Sequence, residues 1–202
     1  AMALFGHLSR GQGLSLLGAS QVLLPPGPAH WFGTDELGRD LFARAAFGGR
    51  LMLGGAAFAV CLAAALGLVI GVMATLMGAW AERAVTAISA SLASVPALAL
   101  VVIVAMALGQ GVLNMLLALM IGLLPRYLAL ARAETLKFCY RGHLATAAAH
   151  GASDWYLARQ HVLPNLHLLV AARIAGDLGW AVATMAALGF LGLGVRPTAA
   201  NW

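Results

Sequence analysis

The sequence predicts an all-α, polytopic membrane protein, a transmembrane helical bundle of about four spans. Three observations predict it. Of 202 residues, 62% are hydrophobic and 9% charged, too little charge to cover a soluble domain. Two charge-free runs, 51–81 and 84–125, are each long enough to cross a hydrocarbon core, which takes about 20 apolar residues. A polar island at 126–161 then precedes a third apolar run, 166–193.

The formal charge of +5 is spread along the chain with no Lys/Arg run, so it reads as charge at membrane edges and not as a nucleic-acid footprint. Cys61 and Cys139 read as free thiols, not a disulfide framework. No basic segment followed by a compact apolar one marks a secretory signal.

In chain order, residues 1–29 are patchily apolar and broken by Gly, Ser and Pro, which predicts an interfacial or extended segment and not a span. A single domain, 30–202, follows. In its opening string, Trp31 and Phe32 suit a membrane–water boundary. Thr34 and Asp35 are candidate N-caps, and Asp35, Glu36 and Asp40 complement the positive end of a helix. Read alone, the string is a capped amphipathic helix lying on the membrane.

Run 51–81 predicts one long span. Its Gly54, Gly55, Ala56 and Ala57 and the Gly67/Gly71 pair let helices approach closely where apolar burial supplies no drive. Glu82 and Arg83 then read as a tight polar turn. Run 84–125 as one helix would reach about 63 Å, roughly twice a hydrocarbon core. It must fold back, with Gly109, Gln110 and Gly111 as the turn, and Pro96 would kink its first half.

From 126 to 161 the basic residues Arg126, Arg132, Lys137, Arg141 and Arg159 favour a cytoplasmic location. That choice leaves Arg39, Arg44 and Arg50 outside, so charge alone leaves orientation nearly undecided. Within the island, 145–165 reads as an Ala-rich turn, a glycine at Gly151, about two turns of mixed residues, and Leu163 with Pro164. This predicts a short helix that breaks before a long apolar one, with Gly151 allowing another backbone to approach. Such a helix outside the bilayer is a lever on the spans. The plainer alternative is a surface loop shaped as a helix-turn-helix.

The last span carries Arg173 and Asp177, roughly 14 and 20 Å along a helix that begins near Pro164. Charges so deep face a cavity or a partner, and the i, i+4 spacing lets these two meet. The span ends in Ala187, Leu188, Gly189, Phe190, Leu191, Gly192, Leu193 and Gly194, read as a glycine-rich helix end packed on a neighbour.

Three of these strings carry a resemblance. Gly33, Thr34, Asp35, Gly38, Arg39 and Asp40 fill all six fixed positions of a Gly-Thr-Asp-x-x-Gly-Arg-Asp pattern. That pattern resembles the signature of the C-type inner-membrane permease subunit of dipeptide, oligopeptide and nickel ABC importers. Ala147, Gly151, Leu163 and Pro164 match that family's cytoplasmic coupling motif, although Ala145 and Thr146 stand where its Glu and first Ala belong. The tail, with Pro197 and Trp202 beyond it, resembles the family's closing string.

The resemblance implies the type I importer permease fold, multi-pass in the bacterial inner membrane, with a coupling segment at about 143–165 on the cytoplasmic side. It implies a subunit that forms half of a translocation path for short peptides or nickel and metal chelates. Its implied partners are a homologous B-type permease, two cytoplasmic ATPases and an extracytoplasmic binding protein. Ala147, Gly151, Ala152, Ser153, Asp154, Leu163 and Pro164 are then the ATPase-coupling residues. Arg173 and Asp177 either line the path or form a clamp within the helix or between subunits. The family's usual spans before the signature and after the tail have no counterpart, which reads as a piece of a longer subunit or a shortened member.

The chain itself is expected to be non-catalytic. It has no Gly-x-x-x-x-Gly-Lys-Ser/Thr string, so ATP and Mg would be bound by the partner ATPases, and no cofactor or metal by this chain. His143, His150 and His161 are too loosely spaced for a closed metal site. His30 with no dense His/Met cluster favours a peptide or a chelated metal carried whole over a bare ion. A membrane enzyme would need paired polar residues on one cavity. The alternative of a self-contained secondary transporter or channel subunit would need internal repeats and an ion site, and the sequence displays neither.

Overall fold

The structure is a computed structural model that describes residues 22–140 and 150–193. Residues 1–21, Arg141, His143, Ala147, Gly194, Pro197 and Trp202 lie outside the described residues. Every regular element in the described residues is an α-helix, save one π-helical turn. The elements are α1 (Leu41–Leu76), α2 (Ala79–Ala93), α3 (Ala97–Leu108), α4 (Val112–Tyr140) and α5 (Asp154–Leu157). A π-helical turn (Ala158–Val162) and α6 (Leu163–Phe190) complete them.

Among the described residues, three continuous helices are long and apolar enough to cross a membrane, and a bent pair, α2 with α3, makes a fourth if counted as one span. Its halves meet at 91°. The sequence reading of a Pro96 kink is borne out in position but understated in angle. Pro96 caps α3, where its fixed φ starts a new helix and its missing N–H ends the old one. The contacts of the pair progress along α4 toward its start. Ser89 of α2 donates to the Pro125 carbonyl at 3.3 Å, whereas Val101 of α3 packs beside Gly122, about a turn nearer the start of α4.

The fold-back is the turn at Gly109 (φ 80°) and Gly111 (φ 153°), as the sequence predicts. The Asn114 amide closes it, donating to the carbonyls of Leu108 at 2.7 Å and Gly109 at 3.3 Å. The polar turn expected at Glu82 and Arg83 lies earlier, at Gly78 (φ 106°), a conformation that suits glycine. Glu82 instead enters the first turn of α2 and pairs with Arg132 of α4 at 2.7 Å.

Two boundaries differ from the sequence reading because polar residues belong to helices. α1 starts ten residues before the charge-free run, at the Asp40 cap, and carries Arg44 and Arg50 on its outer turns. α4 runs through Pro125 to Tyr140, so Arg126 and Arg132 sit within a long helix and not in an extramembrane loop.

Packing of α1 on α4 is the spine of the fold. Gly67 and Gly71 face α4 directly: a Cβ at Gly67 would lie 2.5 Å from the Tyr127 Cβ, and one at Gly71 2.6 Å from the Ala131 Cβ. Small residues thus bring the backbones together, as expected where lipid is as apolar as the helix interface. One core joins Ala56, Ala59, Val60 and Ala63 of α1 to Val101 of α3, Leu119 and Leu123 of α4, and Met185 and Leu188 of α6. A second core joins Val72 of α1 and Ala131 of α4 to Leu157, Ala158, Val162 and Leu166. The ends of α1 and α4 therefore gather with α5 at one end of the bundle.

The α6 end departs from expectation. Among the described residues Gly189 has no neighbour within 4 Å of a built Cβ, and Gly192 (φ 73°) ends the helix. Leu188 and Leu193 do the packing there.

Candidate functional site

Residues 22–40 form a closed knot at the head of α1, not the amphipathic helix that the string suggests when read alone. The cap of α1 is Asp40, whose Oδ1 accepts from Phe42 N at 2.8 Å and Ala43 N at 3.3 Å, so Thr34 and Asp35 are not caps. Thr34 is buried and its Oγ1 accepts from Leu24 N at 2.8 Å, pinning the strap at 22–29. Gly33 (φ 76°) and Gly38 (φ 69°) make the bends, and a Cβ at Gly33 would strike the Leu24 carbonyl.

Asp35 is the centre of the knot. It accepts from the N–H of Leu37 and Arg39, and its carboxylate pairs with Arg39 at 2.8 Å and Arg44 at 2.6 Å. Burial pushes its carboxyl up, but the backbone donors and the two guanidiniums outweigh this and hold it at about 2, below its ordinary 3.8. The signature residues Gly33, Thr34, Asp35, Gly38, Arg39 and Asp40 thus hold one fold of the backbone between Leu24 and the first turn of α1. Because the folded value lies below the ordinary one, Asp35 supports the knot above about pH 3.8 and loses that support as pH falls toward 2. Hydrogen exchange of the segment 22–44, corrected for intrinsic rate, should be slow at pH 5 and accelerate below pH 3.8. Asp35→Asn should exchange fast at both.

At the opposite end lies the segment read as the lever. Ser153 caps α5, its hydroxyl accepting from Tyr156 N at 3.3 Å, and Asp154 occupies the first turn, favourable at a positive helix end. The break expected at Pro164 is absent: α5 passes through the π-turn into α6 as one helix, Asp154–Phe190. The physical reason is the π-turn itself. Leu163 N–H reaches back to the Ala158 carbonyl, and this wider turn accommodates the proline that follows it.

Leu157, Ala158, Val162 and Leu166 bury one face on α1 and α4, with Ala152 and Leu163 beside them. Gly151, Ser153, Asp154, Trp155 and Tyr156 stay exposed, and His150, Gly151, Ser153, Tyr156 and His161 line an open concavity. Gly151 has φ 85°, a left-handed conformation, and nothing lies within 4 Å of a built Cβ. Within the described residues its glycine is explained by backbone conformation, and the space above it is open.

Midway along the bundle, Asp177 is held by two arginines from different helices. Its Oδ1 accepts from Arg126 Nη1 of α4 and its Oδ2 from Arg173 Nε of α6, both at 3.0 Å. The carboxylate side chain is 5% exposed, against 31% for Arg126 and 44% for Arg173. Arg126 also lies 4.8 Å over the Trp180 ring, and the Tyr127 hydroxyl is buried beside the Asp177 carboxylate. The structure brings together Arg173 and Asp177 as the spacing implies. It adds Arg126, which the sequence reading places in the polar island because the uncharged run ends at 125.

Among the described residues, no three of His, Cys, Asp or Glu come together. Residues 39–202 match the family described as Binding-protein-dependent transport system inner membrane component. The chain is 36% identical over 180 residues to the probable D,D-dipeptide transport system permease protein DdpC of Escherichia coli strain K12, covering 89% of this chain and 60% of the relative. It is 32% identical over 177 residues to the glutathione transport system permease protein GsiD of Pectobacterium atrosepticum, covering 88% and 59%. A GsiD of Escherichia coli O6:K15:H31 is 33% identical over 177 residues, covering 88% and 58%. The chain therefore spans about three fifths of the length of these curated relatives. All three relatives bear the name of a transport permease and none that of an enzyme. Helices long enough to span a membrane, the signature knot and this match agree: the chain belongs to the binding-protein-dependent transport system inner membrane components.

Proposed function

We propose that the chain is a permease subunit of an ATP-driven importer of short peptides, with the exposed 150–156 surface receiving the stroke of a cytoplasmic ATPase. The observation that carries this reading is the continuous helix Asp154–Phe190. It joins the exposed lever surface to Asp177, 23 residues and so about 35 Å further along. A push on α5 is transmitted by a rigid body that is anchored at Leu157, Val162 and Leu166. Gly151, Ala152, Ser153, Asp154, Leu163 and Pro164 serve as the coupling surface, and Ala147 joins them by motif alone. Arg126, Arg173 and Asp177 face the path. The partners are a second, homologous permease, two ATPases that hold ATP and Mg, and an extracytoplasmic binding protein.

Cargo follows from the relatives, which are named for D,D-dipeptide and glutathione transport, so short peptides are favoured over nickel or metal chelates. Purification from the native membrane should bring down two ATPases and one further permease. Uptake assays should register labelled dipeptides. Uptake of unchelated nickel with dipeptides inert would overturn the cargo assignment.

Replacing Gly151 tests the lever. At φ 85° a side chain is strained by about 1–2 kcal/mol, and a large one fills the open space an ATPase would occupy. Gly151→Leu should leave the spans inserted and the complex purifiable. Peptide uptake should fall at least tenfold while ATP hydrolysis no longer responds to loaded binding protein. Normal uptake with normal stimulation would remove the lever from the mechanism.

A further inference from the structure

We infer that Arg126 and Arg173 form a receiving fork for a carboxylate of the cargo, held open by Asp177. This rests on the proposed path and names the chemistry of its mid-membrane site.

The charge count is the first argument. One arginine would neutralise Asp177, and Arg126 alone would tie α4 to α6. The second, Arg173, leaves the cluster with one excess positive charge midway along two apolar helices. Such an excess is costly away from bulk water, and a clamp has no use for it. It becomes favourable when an anion arrives.

Geometry is the second. The carboxylate lies beneath and both guanidiniums lie above it, 31% and 44% exposed. Each arginine spends one nitrogen on Asp177 in these contacts, Nη1 for Arg126 and Nε for Arg173. A guanidinium has five N–H donors, so each keeps several for a second acceptor. Trp180 supports the plane of Arg126 from one side at 4.8 Å. The fork is therefore oriented before a ligand arrives, and planar paired N–H donors match a carboxylate in bidentate fashion.

The occupant is the free carboxylate of a short peptide. The named relatives handle a dipeptide and glutathione, both of which end in carboxylates. The other source of the same chemistry is an acidic side chain of the second permease, and the experiment separates the two.

The full permease complex, purified without binding protein, is titrated with alanyl-alanine and with its C-terminal amide by saturation-transfer NMR. Omitting the binding protein removes its own selectivity from the readout. The wild-type complex should bind the free dipeptide about tenfold more tightly than the amide, the effect of one charge-assisted hydrogen-bonded pair. Arg173→Met should bring the two affinities together, and Arg173→Lys should restore part of the difference. Equal affinities in the wild type, with the complex still importing dipeptides, would overturn the fork and leave the importer reading intact. That same result is expected if a partner acid already fills it. A preference unchanged in Arg173→Met would likewise overturn it. Failure of the wild-type complex to import any peptide would instead strike the proposed function.

Discussion

Gly67→Ala is expected to destabilise the bundle by about 1–3 kcal/mol, and Gly67→Leu to prevent α1 from seating on α4. A Cβ at Gly67 would lie 2.5 Å from the Tyr127 Cβ, 3.2 Å from its carbonyl carbon and 3.3 Å from the Leu128 nitrogen. Backbone atoms cannot rotate away as a flexible side-chain tip can, so α4 must shift. Tyr127 and Leu123 are fully buried in the same core, and a shift there opens voids on the side facing α6. Thermal unfolding of the detergent-solubilised complex, followed by size exclusion, should lower the midpoint for Gly67→Ala and give aggregate for Gly67→Leu. Among the described residues Gly54 on the same helix has nothing within 4 Å, so Gly54→Ala should be neutral or slightly stabilising, since alanine favours helix. Equal midpoints for the two alanine variants would refute the close approach.

That contrast marks what a single sequence can convey. The uncharged runs and the Gly67/Gly71 spacing announce spans and a close helix contact, because lipid forces both. The fold-back at Gly109 and Gly111 is equally plain, since those glycines adopt positive φ. Helix ends were harder to read. Asp40 is an ordinary cap, but in sequence it competes with Thr34 and Asp35, and only the hydrogen bonds decide. Pro125 closes an uncharged run, and Pro164 reads as a break. The first lies within α4 and the second follows a π-turn, and neither ends its helix. A proline costs a hydrogen bond wherever it sits, but whether the chain stops depends on what the neighbouring helices hold in place.

The candidate site was half legible for the same reason. The i, i+4 spacing of Arg173 and Asp177 is visible on paper and gives one ion pair. The Arg126 pairing joins residues 51 apart in sequence, across two helices, and depends on α4 continuing through Pro125. Nothing in the local string signals it. At Gly151 the motif points to close approach by another backbone, and the described residues give a left-handed conformation beneath space that such a backbone could enter.

Asp177→Ala is expected to have the largest effect of any single change at the site. It leaves Arg126 and Arg173 facing each other without the carboxylate that holds both at 3.0 Å. Removing one partner of a buried ion pair typically costs about 3–5 kcal/mol because the remaining charge is stranded. The lower end applies here, since both guanidiniums are partly exposed and their long stems can redirect the charge. The complex should assemble poorly and unfold at lower temperature. Arg126→Met alone should be milder, because Asp177 keeps Arg173. The double change Arg126→Met with Asp177→Leu should recover stability relative to Asp177→Ala, since a single, more exposed arginine remains and apolar side chains fill the core. The cycle built from Arg126→Met, Asp177→Asn and their combination should give a coupling of about 1–3 kcal/mol in thermal or denaturant unfolding of the complex. Additive effects would mean that the pair contributes no joint stability. Recovery of assembly in the double variant, with the free dipeptide and its amide now bound alike, would separate the cluster's structural part from its recognition of the cargo. A double variant that still prefers the free carboxylate would assign that preference to the remaining Arg173, and the same preference after Arg173→Met would assign it to residues other than this fork.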